Sequence, residues 1–326
     1  MKKSKTMFLI MMMLGTMITM SSNNWISMWM GLEINMMAFI PFISKSNSKS
    51  PEATMIYFLV QSMSSMLLLF SVMMSNLWTS QEIIMNQLMM ISLFIKLGAA
   101  PFHMWLPEML SKMSWMNSFI LMTWQKLAPL TIINNTMSGI EMISCVVIMS
   151  VMIGSVGGLN QTSMRKMMGY SSINHLGWML SMSIIQNNWL IYWMMYSIIN
   201  LMLCITFNNY NIMFLNQICS INMSMMEKYS LLIMMLSMGG MPPFLGFFPK
   251  WIVIKTLMMD NMIMMMLTLV MTSIITLFYY MRSMTSMMFN FQSINKWIIT
   301  SNMNMMMIFN FIINLSLPLM YITIMI

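Results

Sequence analysis

An apolar run ends in a lysine and is followed at once by helix-breaking residues in Ile91-Ser-Leu-Phe-Ile-Lys96-Leu-Gly98-Ala-Ala-Pro101-Phe102-His103. Only 7% of the chain is charged, so an ammonium group at bilayer depth needs a physical reason. Ionisable residues inside a membrane are costly, and their default interpretation is a functional site. A break in a membrane helix is tolerated where the freed backbone lines a cavity. The two features together indicate an ion or proton pathway.

The rest of the chain is apolar enough to lie mostly in lipid. It has 326 residues, of which 59% are hydrophobic, and a mean hydropathy of +0.76. A helix needs about 20 apolar residues to cross a bilayer core of about 30 Å. About eleven such stretches lie near 6–22, 24–43, 52–76, 83–104, 114–134, 139–158, 167–185, 188–207, 229–256, 261–282 and 302–325. We therefore predict an all-α polytopic membrane protein with one transmembrane domain over residues 1–326.

A second interrupted helix is predicted at Met238-Gly239-Gly240-Met-Pro242-Pro243-Phe-Leu-Gly246-Phe-Phe-Pro249-Lys250-Trp251. Closely spaced glycines and prolines cannot form a continuous helix. The two breaks fall in the fourth and ninth spans, which are five spans apart. Because five is odd, two units related by that shift would cross the membrane in opposite directions. Paired interruptions of this kind are typical of inverted repeats. We predict two five-helix repeats, about 6–134 and 139–282, and a C-terminal helix at about 302–325.

The charges indicate an orientation and argue against nucleic-acid binding. The net charge is +8, but the basic residues form neither a patch nor a stripe. They occupy every second connector, starting from the N-terminal side: Lys2, Lys3, Lys5, Lys45, Lys49, Lys112, Arg165, Lys166, Lys228, Arg282 and Lys296. The opposite side holds at most Lys255, together with Glu82, Glu141 and Asp260. By the positive-inside rule the N-terminus lies inside, and an odd number of spans places the C-terminus outside.

Composition also indicates where the chain is encoded. Methionine accounts for 61 residues, whereas residues with GC-rich codons are scarce. This bias fits an AT-rich organellar genome that reads AUA as methionine. Methionines spread over every span argue against a soft-metal site. Three cysteines, Cys145, Cys204 and Cys219, show no ligand spacing and predict neither a disulfide framework nor a metal site.

Four charges remain inside the predicted spans: Glu33, Lys96, Lys126 and Lys250. At about 2.5–3.5 kcal/mol each, they would cost on the order of 10 kcal/mol if nothing compensated them. Lysine can store or pass a proton, which arginine cannot do. Three alternatives stay open: a helix-packing role for the carboxylate, snorkelling of a lysine to the interface, and a loop outside the membrane for the last lysine.

His175 is a further candidate. Ser171, Ser172 and Asn174 make its span polar enough to border water, and histidine titrates near neutrality, as a proton relay requires. A histidine satisfied by hydrogen bonds between packed helices is an equal alternative. The sequence shows no P-loop, GxGxxG motif, haem-ligand histidine pair or cysteine cluster. We expect no cofactor or metal on this chain itself.

Four motifs resemble one family, the antiporter-like membrane subunits of respiratory complex I. The most specific are Lys96-Leu-Gly98-Ala-Ala-Pro101-Phe102-His103-Met-Trp105-Leu-Pro107-Glu108 and Gly239-Gly-Met-Pro-Pro-Phe-Leu-Gly-Phe-Phe-Pro-Lys250-Trp251. Met30-Gly31-Leu32-Glu33-Ile34-Asn35 and Tyr170-Ser-Ser-Ile-Asn-His175-Leu-Gly-Trp178 are similar to two other landmarks. The motifs keep the family's order over essentially the whole chain. Its length resembles that of a short mitochondrial member from an invertebrate animal.

The resemblance implies proton translocation coupled to electron transfer from NADH to ubiquinone. In this family a glutamate and three lysines form a charged, hydrated axis, which by motif match would be Glu33, Lys96, Lys126 and Lys250. The first two would respond to the neighbouring subunit, and Lys126, through water and His175, would hand protons towards Lys250.

The resemblance also implies a setting. NADH, FMN, iron–sulfur clusters and ubiquinone would serve the whole complex, with no site on this chain. The partners would be other membrane-arm subunits of complex I and phospholipids, and no nucleic acid. The location would be the mitochondrial inner membrane, with the N-terminus in the matrix and the C-terminus in the intermembrane space.

Two other functions remain as alternatives. An Mrp-type cation/proton antiporter shares the fold ancestry, and dependence on sodium would distinguish it. A non-pumping membrane scaffold is the other. The four midplane charges argue against a scaffold, because leucine at each position would be more stable.

Overall fold

A computed structural model describes residues 2–44, 50–77, 82–136, 139–185, 189–220, 223–289 and 305–316. Over these ranges the chain forms fifteen helices, and the β-structure in them is a single bridge between Ser163 and Phe214. The helices are α1 Lys2–Ser21, α2 Trp25–Ser44, α3 Ser50–Leu77, α4 Glu82–Leu97, α5 Trp105–Lys112, α6 Trp115–Met122, α7 Trp124–Thr136, α8 Ile140–Leu159, α9 Met164–Ile185, α10 Trp189–Asn209, α11 Leu215–Ser220, α12 Met225–Gly239, α13 Phe247–Met259, α14 Ile263–Phe289 and α15 Met305–Asn314. The all-α prediction is confirmed.

The predicted apolar stretches coincide with helices or with helix pairs. The stretch 114–134 becomes α6 and α7, and 229–256 becomes α12 and α13. Among the described residues, five helices are long and apolar enough to cross a membrane: Trp25–Ser44, Ser50–Ser75, Ile140–Leu159, Trp189–Asn209 and Ile263–Thr285. Lys5–Ser21 and Ile83–Leu97 are shorter apolar helices. The stretch 302–325 lies partly outside the described residues, as do Lys45, Lys49 and Lys296.

The chain divides into two compact units. The first comprises residues 1–150 and 180–187, and the second comprises 151–179 and 188–326. The first unit therefore contains α1 to α7, and the second contains α10 to α15. The boundary falls inside α8 and α9, so each of these helices contributes residues to both units.

In the first unit, α1 and α2 pack with their backbones almost in contact. A Cβ atom on Gly31 would lie 2.9 Å from the carbonyl oxygen of Gly15 and 2.5 Å from a methyl group of Thr19. Small residues at such a crossing allow membrane helices to approach closely. Glu33 lies two residues after this contact, so the crossing fixes the position of Glu33 relative to α1.

Both predicted breaks are present, and both end in the same backbone motif. After α4, the N–H of Gly98 donates to Ile95 O (3.2 Å) and that of Ala99 donates to Phe94 O (3.0 Å). Gly98 has φ +69°, so this is a Schellman ending, in which a left-handed residue lets the chain turn back onto the last helical carbonyls. The helix therefore stops one residue after Lys96.

The second break repeats this ending. Gly240, at φ +79°, donates to Ser237 O (3.0 Å), and Met241 donates to Leu236 O (3.2 Å). The chain then folds back so that Gly246 lies directly against the backbone of Ser237, where a Cβ atom would overlap the Ser237 carbonyl oxygen. Only glycine fits this position. The break between α12 and α13 is thus held by close backbone packing as well as by hydrogen bonds.

We expect Gly246→Ala to destabilise the protein by about 1–3 kcal/mol or more, because the added methyl group forces the backbone of α12 and the loop apart. Gly239→Ala is the matched control, since its Cβ would meet Leu277 at an ordinary 3.5 Å. The measurement is the melting temperature of the assembled protein in detergent, with its abundance on a native gel. Equal melting temperatures for the two variants would contradict the close packing described.

Candidate functional site

Glu33 and Lys96 form a buried ion pair in the first unit. The Nζ of Lys96 lies 3.9 Å from Glu33 Oε1, and the two side chains are 4% and 20% exposed, respectively. Among the described residues, this Glu33 oxygen has no hydrogen-bond partner. The two groups attract each other through space without a direct hydrogen bond. A carboxylate at this distance stabilises the ammonium form of its partner.

The broken end of α4 is bound by a neighbouring helix. Gln61, on α3, donates from Nε2 to the backbone carbonyl oxygen of Lys96 (3.2 Å). This carbonyl belongs to the last turn of α4 and so lacks a normal helical partner. An amide donor in a buried apolar span therefore satisfies it and fixes the backbone from which the Lys96 side chain projects.

Lys126 lies just after a helix interruption that the sequence did not predict. Pro129 lies inside α7, which continues to Thr136. The interruption is at Thr123, between α6 and α7, where φ is −115° and ψ is −68°. The N–H of Lys126 donates to Thr123 O (3.3 Å). Pro129 leaves the carbonyl of Gln125 without its usual helical donor, so both features loosen the turn that carries Lys126.

Lys96 and Lys126 line the same small cavity. It holds about 20 Å³ of space for the centres of water-sized molecules, and its polar lining also includes Asn35, Tyr57, Gln61 and Gln125. A buried water needs about 10–15 Å³ measured in this way, with two to four polar partners. The cavity therefore has the size and polarity to accommodate a water molecule between two lysines that belong to different helices.

Lys250 is bound at the second break. Its Nζ donates to the carbonyl oxygen of Gly239 (2.7 Å), and it lies 5.6 Å from the ring centre of Trp178. The side chain belongs to α13 and reaches back to the last residue of α12. A cation is favoured at a helix C-terminus and over an indole ring. The structure thus provides two separate stabilising contacts for one buried ammonium group.

His175 is part of a buried aromatic and polar cluster in the second unit. Its Nδ1 lies 2.8 Å from the hydroxyl oxygen of Tyr192, and its ring centre lies 4.9 Å from that of Tyr196. The residue is 7% exposed. His175 and Trp178 are three residues apart on α9 and therefore lie on the same face of that helix. The face that carries His175 also carries the ring over which Lys250 lies.

The structure brings the predicted residues into two groups, one in each unit. Glu33, Lys96 and Lys126 lie together in the first unit. In the second, Lys250 and His175 are related through α9. The sequence alone predicted no role for five further polar side chains: Asn35, Tyr57, Gln61, Gln125 and Tyr192. In the described part of the chain, no three histidine, cysteine, aspartate or glutamate residues lie close enough to hold a metal ion.

Comparison with known proteins gives a consistent result. Residues 22–276 match the family model described as NADH:quinone oxidoreductase/Mrp antiporter, transmembrane. NADH-ubiquinone oxidoreductase chain 2 of Anopheles gambiae is 44% identical over 95% of this chain and 95% of its own length. The same protein of Locusta migratoria is 40% identical over 93% and 91%.

A solved structure shows a similar fold. A chain of respiratory complex I from Thermus thermophilus with bound aureothin has a TM-score of 0.79 to this chain. It is 18% identical in sequence, and the match covers 87% of this chain and 70% of that chain. At this identity the likeness concerns the fold alone, which is an all-helical, antiporter-like membrane fold.

We expect Glu33→Gln to destabilise the protein by about 1–3 kcal/mol, because it leaves the buried Lys96 ammonium without its counter-charge; a fully buried pair would lose about 3–5 kcal/mol. The double variant Glu33→Gln/Lys96→Met should recover most of that loss. Melting temperatures of the assembled variants give the comparison.

The control for this prediction is the pair Lys112–Glu52, which is shorter at 3.0 Å but has side chains 28% and 65% exposed. Glu52→Gln should cost less than about 1 kcal/mol, because an exposed pair contributes little. A double variant less stable than Glu33→Gln alone would show that the two charges do not stabilise each other.

Proposed function

The chain belongs to the NADH:quinone oxidoreductase/Mrp antiporter transmembrane family, and we propose that it works as a proton-translocating membrane-arm subunit of mitochondrial respiratory complex I. The identity of 40–44% to chain 2 of the insect enzymes, over most of both chains, supports this function. Electron transfer from NADH to ubiquinone would take place elsewhere in the complex. This chain would contribute the membrane part of the coupling, in contact with other membrane-arm subunits and phospholipids.

The observation that carries the proposed mechanism is the small polar cavity shared by Lys96 and Lys126. Two lysines that line one water-sized space could exchange a proton through a single water. Glu33, 3.9 Å from Lys96, favours the charged form of that lysine. A change in the charge or position of Glu33 would therefore release a proton from Lys96 towards Lys126. In this scheme Glu33 controls the release of the proton from Lys96, and Lys126 accepts that proton.

Lys250 would be the proton-carrying group of the second unit. It is buried, and it is bound to a backbone carbonyl and an indole ring, neither of which carries a counter-charge. Its ammonium form is thus stabilised only partly, which suits a group that must both take up and release a proton. His175, hydrogen-bonded to Tyr192, would be the relay on the same helix face as Trp178. Lysine is suited to this role because it can lose its proton, unlike arginine.

The proposed architecture has about eleven membrane spans, with two inverted five-helix repeats over about 6–134 and 139–282 and a C-terminal helix near 302–325. The identical Schellman endings after Lys96 and before Lys250 support corresponding positions of the two breaks. The charge asymmetry supports an N-terminus in the matrix and a C-terminus in the intermembrane space. We further propose that NADH, FMN, iron–sulfur clusters and ubiquinone have no site on this chain.

Lys126→Met and Lys250→Met test the function directly. We expect the complex to assemble, because methionine fills a similar apolar volume. NADH:ubiquinone turnover and proton pumping should both fall by a factor of about 10 or more, as expected for loss of a proton-transfer group. Lys255→Met, at an exposed position, is the matched control and should behave as the native chain. Turnover and pumping are measured in reconstituted vesicles, with assembly checked on a native gel.

Normal pumping per electron in assembled Lys126→Met and Lys250→Met would mean that this chain is a scaffold. Repeating the assay in sodium-free medium separates the antiporter alternative. Pumping that requires sodium would favour cation/proton exchange over proton translocation coupled to electron transfer.

A further inference from the structure

Three helices of the first unit are joined by a chain of side-chain hydrogen bonds centred on Gln125. The hydroxyl of Tyr57, on α3, donates to Gln125 Oε1 (3.1 Å). The Nε2 of Gln125, on α7, donates to Asn35 Oδ1 on α2 (3.1 Å). Gln125 is the residue next to Lys126, Asn35 is two residues from Glu33, and Tyr57 is one turn from Gln61. The chain of bonds therefore runs among the backbones that hold all three charged groups of this unit.

The chemistry of the partners favours the direction in which these hydrogen bonds run. A glutamine amide has two N–H donors on nitrogen and one acceptor oxygen, and a hydroxyl group can act in either sense. The Nε2 of Gln125 also lies 3.5 Å from the sulfur of Met12, which can only accept. The observed orientation, with the nitrogen towards Asn35 and Met12 and the oxygen towards Tyr57, agrees with the accepting role of the sulfur. Tyr57 thus donates its proton to Gln125 and presents its lone pairs elsewhere.

The aromatic packing contacts of Tyr57 are made by its ring and do not require its hydroxyl. Tyr57 is 3% exposed and packs its ring edge-to-face on Phe39 (5.1 Å between ring centres) and beside Trp105 (6.2 Å). These contacts belong to the ring. A buried hydroxyl is unfavourable unless it is hydrogen-bonded, and the bond to Gln125 meets that need while joining α3 to α7.

Tyr57 and its hydrogen-bond partners also border the cavity that Lys96 and Lys126 line. Tyr57, Gln125, Gln61 and Asn35 all line it together with Lys96 and Lys126. A water there needs two to four polar partners, and the residues that line the cavity include enough polar side chains to supply them. The chain of side-chain hydrogen bonds centred on Gln125 fixes the orientation of Tyr57 and of the turn that carries Lys126.

We propose that Tyr57 and Gln125 are positioning residues that orient a water molecule between the amino groups of Lys96 and Lys126. This proposal rests on the proposed function and adds two groups to it. The Lys96 ammonium gives a proton to the water oxygen, and the water gives one of its own protons to the neutral Lys126 amine. Water is regenerated, one N–H bond breaks and another forms, and one charge moves from Lys96 to Lys126. Tyr57 and Gln125 keep their protons throughout.

The test uses Tyr57→Phe and Gln125→Leu in the complete complex. Each variant keeps the apolar volume and removes one member of the hydrogen-bond chain. We expect normal assembly, an unchanged KM for the quinone and a kcat reduced roughly three- to tenfold, the effect of one lost hydrogen bond on a rate. The ratio of turnover in H₂O to that in D₂O should rise, because proton transfer becomes slower than the redox steps. Tyr229→Phe, at an exposed hydroxyl, is the control.

The double variant Tyr57→Phe/Gln125→Leu should lose little more activity than either single variant, because both break the same chain. A native kcat and a native isotope ratio in both single variants would overturn the positioning role. So would a lower kcat with an unchanged isotope ratio, which would indicate structural damage only. Lys126→Met, measured alongside, distinguishes failure of the positioning role from failure of the proposed function. If Lys126→Met also pumps normally, the proposed function fails as well. If Lys126→Met abolishes pumping while both single variants behave as the native chain, only the positioning role is wrong.

Discussion

The cost of keeping an ammonium group away from water governs the described structure. A lysine in the middle of an apolar protein is tolerated only if other groups supply the stabilisation that water would give. Two of the buried lysines obtain this stabilisation from different groups. Lys96 has a carboxylate at 3.9 Å, and Lys250 has a backbone carbonyl at 2.7 Å and an indole ring. Among the described residues, neither lysine is held in a close, fully hydrogen-bonded ion pair.

The helix breaks follow from that constraint. A continuous helix has no unpaired carbonyl to offer a lysine, whereas the end of a broken helix has several. The left-handed glycines Gly98 and Gly240 end α4 and α12, and the close approach of Gly246 to Ser237 holds the second loop in place. The glycines therefore belong to the charged site as much as the lysines do. At the second break, Gly240 and Gly246 create the backbone environment in which Lys250 is bound.

The sequence was a good guide to features that depend on local composition. Apolar runs predicted the helices, and Gly-Pro clusters predicted both breaks. The scarcity of charges made Glu33, Lys96, Lys126 and Lys250 candidates, and their functional role stays a prediction. The interruption at Thr123 was missed because no glycine or proline marks it. The chain of bonds from Tyr57 through Gln125 to Asn35 was missed for another reason. Its members are far apart in sequence, and polar side chains in apolar helices usually have no partner that the sequence reveals.

The hydrogen bond from Lys250 to Gly239 has a consequence for a charge cycle. An amine that has lost its proton still carries two N–H groups, so this bond can persist in both protonation states. The broken end of α12 then keeps its partner whether or not Lys250 is charged. If Lys250 carries protons as proposed, loading and unloading would require only movement of its side chain and of water, and no refolding of a helix end. Under that proposal, the backbone around Lys250 would stay rigid during turnover.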